Sequence, residues 1–390
     1  MRLVFYSNYL NIHQVFLMDA FYDMLGDDFC FVATMPKSTS EQKGGMDYSS
    51  RPYCISASES ENCRSYAMLL AREADTCVFG ACSQDYAVER AISNRYGLSF
   101  EMGERWFKHG VLTIGSPVFR KWLFNYFRYY RKANFYKLCC SSFTAKDDTR
   151  IYAYLNRHYK WGYFTAVPDV VTTIQTEYLN LQENQTLSIM WCARFLKLKH
   201  PEMPVLLAAK LKNEGYNFVI NIYGDDKNLL PANKVYSSNK LRRLIENLDV
   251  ADVVNLKGSC PNVEILDAMK THDIFLFTSD RNEGWGAVAN EAMSNKCCLV
   301  ASDAIGSTHY LLRDGENGLI FKSGSVDSLY EKVKYLLDNP CEREVMAERG
   351  FQDIFNIWSP KAAAKNLIQL ISDINNGLQT FIYEGPCSKA

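Results

Sequence analysis

The chain has 390 residues, 47% of them hydrophobic and 13% aromatic, and a net charge of −1. That length and apolar content suit two or three folded domains and exclude a disordered chain. The near-neutral balance excludes a global attraction to nucleic acid.

The N-terminus, MRLVFYSNYLNIHQ, runs straight into a short apolar stretch of strand length, with no basic segment ahead of a long apolar one. No apolar run approaches the ~18 to 20 residues of a membrane span. A cytoplasmic chain without a signal peptide is the expectation. The thirteen cysteines are odd in number, scattered and never spaced C-x-x-C. Reduced, buried thiols are therefore expected, in preference to disulfides or a metal site.

From there, short apolar runs alternate with amphipathic ones. LVFY precedes NIHQVFLMDAFYDML; FCFVAT follows; SYAMLLAREA leads to TCVFGA, then DYAVERAISNRYG, LCCSSFTA and YFTAVPDVV. After a polar seam at 172–185 the alternation restarts. SIMWCAR is followed by VLLAAKLKNEG, NFVINIYG by NKLRRLIENL, and VVNLKG by VEILDAMKTH. IFLFTS is followed by AVANEAM, and CLVAS by STHYLLRDG. Strand-length and helix-length segments in alternation predict βαβ units and parallel sheets. The expected fold is α/β, with two doubly wound Rossmann-like domains facing across a cleft. The expected bounds are 1–175 and 183–372, with a tail at 373–390. Ligands of such sheets bind outside the carboxyl ends of the strands.

NEGWGAVANEAMSNK, residues 282–296, falls at such an end. Glu283 lies in the loop after IFLFTS and Glu291 in the helix that follows. The amides of Gly284, Trp285, Gly286 and Ala287 open that helix and suit an anion such as a phosphate. Carboxylates accept hydrogen bonds from paired sugar hydroxyls, so the stretch can hold a phosphate between two hydroxyl-bearing rings, which describes a nucleotide sugar. The alternative is a capping glutamate and a solvated one. MWCARFLKLKH ends another strand with Arg194 and Lys199 five residues apart, able to aim a guanidinium and an ammonium at a diphosphate. Gly224 and Gly258 end two further strands, where glycine permits a tight turn or close ligand approach.

This set resembles the GT-B glycosyltransferases of family 4, the group 1 type. The resemblance rests on E-x7-E (Glu283, Glu291), Arg-x4-Lys (Arg194, Lys199), the Gly224-Asp225 turn, KG at 257–258, VASD at 300–303, DGENGL at 314–319 and WSPKAAAKNLIQLI at 358–371. It covers about residues 187–370 well, and the first half more weakly resembles bacterial surface-polysaccharide enzymes. The resemblance implies that Glu291 binds the nucleotide ribose and Glu283 the donor sugar. It implies that amides of Trp285 to Val288 touch the sugar and diphosphate, and that Arg194 and Lys199 neutralise the leaving diphosphate, a transition-state effect. It implies a UDP- or GDP-linked donor as substrate, a glycan or lipid-linked acceptor, retention of configuration and no covalent nucleophile. No D-x-D is present, so no metal or other cofactor is expected.

Three departures stand out. The family often has glycine before this arginine and after this lysine, where this chain has Ala193 and His200. Many members carry a histidine at the end of a central strand of the first domain, where this chain reads Cys82, Ser83, Gln84. Asn11 and His13, after the first strand, could face acceptor or phosphates, or His13 could cap or pack the first helix. Finally, Arg105 to Lys146 holds nine Lys or Arg and no Asp or Glu, with Trp122, Phe124, Tyr126, Phe127, Tyr129 and Tyr130 among them. Peripheral contact with an anionic membrane, a packed aromatic helix with basic ends, or single-stranded nucleic acid would each use such a patch; nucleic acid is not expected as a partner. A nucleotide-sugar epimerase of the same fold and a non-catalytic sugar-nucleotide-binding subunit are the alternative functions.

Overall fold

An unbroken apolar run of strand length marks a strand covered on both faces. LVFYS behaves so: β1 (Leu3–Ser7) is buried at all five positions. The computed structural model describes residues 1–36, 48–167, 186–227 and 231–390, which divide into two units, Met1–Ala166 with Ile357–Ala390, and Val167–Asn356.

In the first unit, β1 lies inside a seven-stranded parallel sheet with β2 (Phe29–Ala33), β3 (Cys54–Ser56), β4 (Thr76–Phe79), β5 (Leu98–Gly103), β6 (Phe135–Cys139) and β7 (His158–Lys160). The order is β3-β2-β1-β4-β5-β6-β7. In the second unit, β8 (Leu187–Cys192), β9 (Phe218–Tyr223), β10 (Val254–Gly258), β11 (Ile274–Phe277), β12 (Cys298–Ser302) and β13 (Leu319–Phe321) form a six-stranded parallel sheet. Its order is β10-β9-β8-β11-β12-β13. Each sheet is doubly wound: the first strand of the unit sits inside, and the chain reverses its direction of travel beside it.

Helix starts follow local chemistry. Asn11, Ser60, Ser116, Ser325 and Ser359 each cap a helix by accepting a backbone N–H, and proline stands at the first position after Ser116 and Ser359. The second unit's core joins Ile189 and Trp191 of β8 to Ile220 and Ile222 of β9, Leu276 of β11, and Leu207, Leu211, Leu329 and Val333 from its helices. All thirteen cysteines are free, and both adjacent pairs are buried.

Some expectations are corrected. β6 ends at Cys139, only two residues into LCCSSFTA, where Ser141 begins a turn. YFTAVPDVV is not a strand at 163–167, its remaining residues lie outside the described ones, as does the whole polar seam, and β7 sits just before it. The helix Pro360–Asn375, expected to close the second domain, belongs with the first unit. Its apolar face of Ala363, Ala364, Leu367, Leu370 and Ile371 is buried, and the helix packs against Ile12–Leu25. The tail is anchored there too: Cys387 N–H donates to Lys160 O and Lys160 N–H to Ser388 O, both at 2.8 Å. The Trp358 ring stacks 6.4 Å from Phe164.

Candidate active site

In a doubly wound sheet the ligand crevice lies where strand order reverses, at the carboxyl ends. In the second unit that point is between β8 and β11. The loops leaving those two strands carry Arg194, Lys199 and Glu283, and the helix Val288–Ser294 carries Glu291.

After β8 the chain makes a 3-10 turn, Lys197–Lys199. The turn is fixed to the β11 loop by a relay. Trp191 Nε1–H donates to Thr278 Oγ1 at 2.8 Å, Thr278 Oγ1–H donates to Lys199 O at 2.7 Å, and Asp280 N–H donates to Leu198 O at 2.9 Å. The relay sets the Lys199 side chain against Glu283: ammonium and carboxylate form an ion pair, with 14% and 13% of the two side chains exposed. Arg194 is exposed, and its guanidinium makes no hydrogen bond or ion pair among the described residues. The structure thus brings Lys199 and Glu283 into direct contact.

Glu291 differs from Glu283. It is partly buried, and burial pushes its pKa up to about 7. Among the described residues it has no hydrogen-bond partner. Cys192, at the end of β8, feels the charges of Glu291 and Lys199, which locates both by the same strand end. The capping role open to Glu283 is not made: the helix Val288–Ser294 has no side-chain cap hydrogen bond, and the Glu283 carboxylate pairs with Lys199. Neither glutamate is a solvated surface residue.

Gly284 and Trp285 are buried, and Gly286, Ala287 and Val288 are partly so. The Trp285 indole packs inward, its Nε1–H donating to Asn290 Oδ1 at 2.8 Å, so its side chain faces the core and its backbone the loop. Gly286 has φ +81, and a β-carbon there would meet the Phe277 ring at 2.1 Å. Gly224, at φ +128, is tighter still: a β-carbon would stand 2.0 Å from Ala193 O. Gly224 N–H donates to Gly258 O at 2.7 Å, which ties the ends of β9 and β10. Gly258 has φ +76 with open space where a side chain would point. DGENGL serves the fold: buried Asn317 Oδ1 accepts from Arg313 N–H at 2.7 Å, and its amide donates to Asp353.

In the first unit the reversal lies between β1 and β4. Asn11 caps the helix Ile12–Leu25, its side chain accepting from His13 N–H at 3.0 Å, and the His13 side chain is exposed in that first turn. After β4, Ser83 caps the next helix and Gln84 Oε1 accepts from Asn125 at 2.6 Å, while burial pushes the Cys82 thiol up. The basic stretch divides in two. Phe119, Trp122, Tyr126 and Tyr130 are core, as the packed-helix alternative required. Lys137 is buried 3.4 Å from Glu101, its neighbour across β5, and Trp122 donates to the same carboxylate; Arg105 pairs with Asp147 at 3.6 Å. Acids outside the window therefore neutralise part of it. Arg120, Lys121, Arg128, Arg131 and Lys132 remain exposed beside Val111, Leu112, Ile114, Val118 and Phe124. Among the described residues no helix is long and apolar enough to cross a membrane.

Sequence reasoning singled out neither Thr278 nor Asp280, and met His200 only as a departure from glycine. Their signal is in three dimensions, since eighty residues separate His200 from Asp280 along the chain.

Residues 174–353 match the family model described as glycosyl transferases group 1. An uncharacterised glycosyltransferase of Methanocaldococcus jannaschii is 28% identical over 125 residues, which are 30% of this chain and 34% of that protein. The chain thus matches about a third of that relative's length. Among solved structures, the lipopolysaccharide outer core galactosyltransferase WaaB in its apo form has a TM-score of 0.68 at 13% identity, covering 97% of this chain and all of that one. Anabaena HepE in complex with UDP has a TM-score of 0.67 at 13% identity, covering 97% and 100%. These likenesses show the fold, GT-B.

Proposed function

We propose, from the match of residues 174–353 to the family model described as glycosyl transferases group 1, that the chain transfers a sugar from a UDP- or GDP-linked donor to a glycan or lipid-linked acceptor. The observation that carries the reading is Glu291: a partly buried carboxylate, its pKa raised by burial, with no hydrogen-bond partner among the described residues, by the same strand end as the Lys199–Glu283 pair. A partly desolvated carboxylate without a protein partner is free to accept hydrogen bonds from a ligand. The paired hydroxyls of a ribose supply them.

The roles then follow. Glu291 accepts from the ribose, while Glu283 accepts from donor-sugar hydroxyls. The Lys199 ammonium, held by Glu283 in the free chain, turns to the diphosphate with Arg194. As the bond from the anomeric carbon to the diphosphate oxygen breaks, negative charge grows on that oxygen, and fixed cations there lower the barrier. The acceptor oxygen attacks from the side the diphosphate leaves, its proton passes to the departing phosphate, and configuration is retained without a metal. Gly224, Gly258 and the Gly284–Val288 backbone line the donor; Asn11 and His13 belong to the acceptor side. The exposed basic and apolar side chains near the helix Pro117–Arg128 suit an acceptor at an anionic membrane face, as in surface-polysaccharide synthesis. WaaB and HepE, one a lipopolysaccharide galactosyltransferase and one solved with UDP, are in keeping with that pathway and nucleotide.

The test is incubation with UDP- and GDP-sugars, with and without lipid-linked acceptor. Nucleoside diphosphate released only when acceptor is present supports transfer. A changed sugar without released nucleotide, with UDP-N-acetylglucosamine alone, would mean epimerisation.

A further inference from the structure

His200 occupies the residue after Lys199 with left-handed backbone, φ +53, a conformation glycine adopts freely and a side-chain-bearing residue rarely keeps without a reason. Its ring accounts for it. Nδ1 lies 2.8 Å from Glu202 Oε1, at the start of the helix Glu202–Asn213, and Nε2 lies 3.6 Å from Asp280 Oδ2, in the loop after β11. Only the imidazolium carries a proton on both nitrogens and so can serve two carboxylates at once. Asp280 and Glu202, the charged groups that face the ring, raise its pKa to about 9 against the penalty of half-burial. The ring is therefore a cation at neutral pH. Asp280 in turn holds Asn282 and the Glu283 amide.

We propose that His200 is a positioning residue: by bridging Glu202 and Asp280 it fixes the turn that carries Lys199 against the loop that carries Glu283, and so sets where the leaving-group cation meets the donor sugar. The inference rests on the reading of Lys199 as the diphosphate's partner. The side-chain relay from Trp191 through Thr278 to Lys199 O restrains the turn from one side. His200 restrains it from the other, with a charge-assisted contact to each flank. Contacts of this kind act by holding a catalytic group within a fraction of an ångström of its productive place.

The experiment compares His200→Gly, His200→Asn and Lys199→Ala in the full chain. Glycine and asparagine both tolerate the left-handed backbone, so either variant that keeps the wild-type thermal transition within a few degrees reports on the ring. In that variant kcat falls about tenfold, the dissociation constant for the free nucleoside diphosphate changes less than threefold, and asparagine restores nothing. Wild-type kcat also declines as pH rises through about 9, where the ring loses its second proton, and the variant lacks that limb. A merely structural histidine would leave the limb in place. Wild-type kcat and an unchanged limb in both His200 variants, while Lys199→Ala is impaired, overturn the inference and leave the functional reading standing. Full turnover in Lys199→Ala overturns the reading itself.

Discussion

At the scale of single residues, the two glutamates of E-x7-E sit in different environments and are expected to fail differently when removed. Glu291→Ala should weaken binding of both the free nucleoside diphosphate and the whole donor, whereas Glu283→Ala should leave the nucleotide nearly unchanged and cut turnover. Calorimetry on both variants decides it, and equal losses of nucleotide affinity would refute the division. Glu291 also links to pH. Its folded pKa, about 7, lies above its ordinary 4.5. A carboxyl raised in this way favours the fold below about pH 4.5, and that contribution is lost as pH rises through about 7. Glu291→Gln should accordingly raise the melting temperature at pH 8 and by much less at pH 5, read by thermal unfolding without ligand. For Arg194→Ala the expected loss in kcat is roughly 10²-fold, the scale of one preorganised electrostatic donor. A raised KM with kcat intact would remove Arg194 from the transition state.

At the scale of elements, the loops after β9 and β11 depend on glycine where nothing else fits, at Gly224 and Gly286. Gly286→Ala sets a methyl into the Phe277 ring at positive φ. It should destabilise the second unit by about 2–4 kcal/mol, measured by denaturant unfolding. The helix Pro117–Arg128 and the turn after it offer a separate test. Charge reversal of Arg128, Arg131 and Lys132, all exposed, should reduce co-sedimentation with anionic vesicles at low salt, since each basic residue near such a surface contributes about 1 kcal/mol. Donor binding should survive. No anionic preference in the wild type would leave that helix as packing alone. These elements also mark what a sequence discloses. The strands β1, β2, β8, β11 and β12 were legible because parallel strands are apolar throughout, and E-x7-E because its spacing spans one loop and one helix. β5 was not, since LSFEMG carries Glu101 at its centre, and that carboxylate is explained by Lys137 and Trp122 from later elements. Counting charges along the chain overstated the basic patch for the same reason.

At the scale of the whole molecule, the last 34 residues return to the first unit. Their helix buries an apolar face there and their tail bonds to β7, so a chain ending at Asn356 should lose stability in the first unit while the second unit's nucleotide site persists. Intrinsic fluorescence of unfolding, with and without nucleotide, checks this. The closing helix looked like part of the second domain because it follows it in sequence, and only its packing assigns it elsewhere. The central claim is that the β8/β11 reversal of the second unit holds a nucleotide sugar through Glu291. A ligand that binds the native state alone raises its stability. The most direct measurement is therefore a thermal-shift panel of UDP-, GDP-, ADP- and CMP-sugars on the wild type and Glu291→Ala. The account predicts a rise with UDP- or GDP-sugars in the wild type that is lost in the variant; no rise with any of them, or the same rise in both proteins, would contradict it.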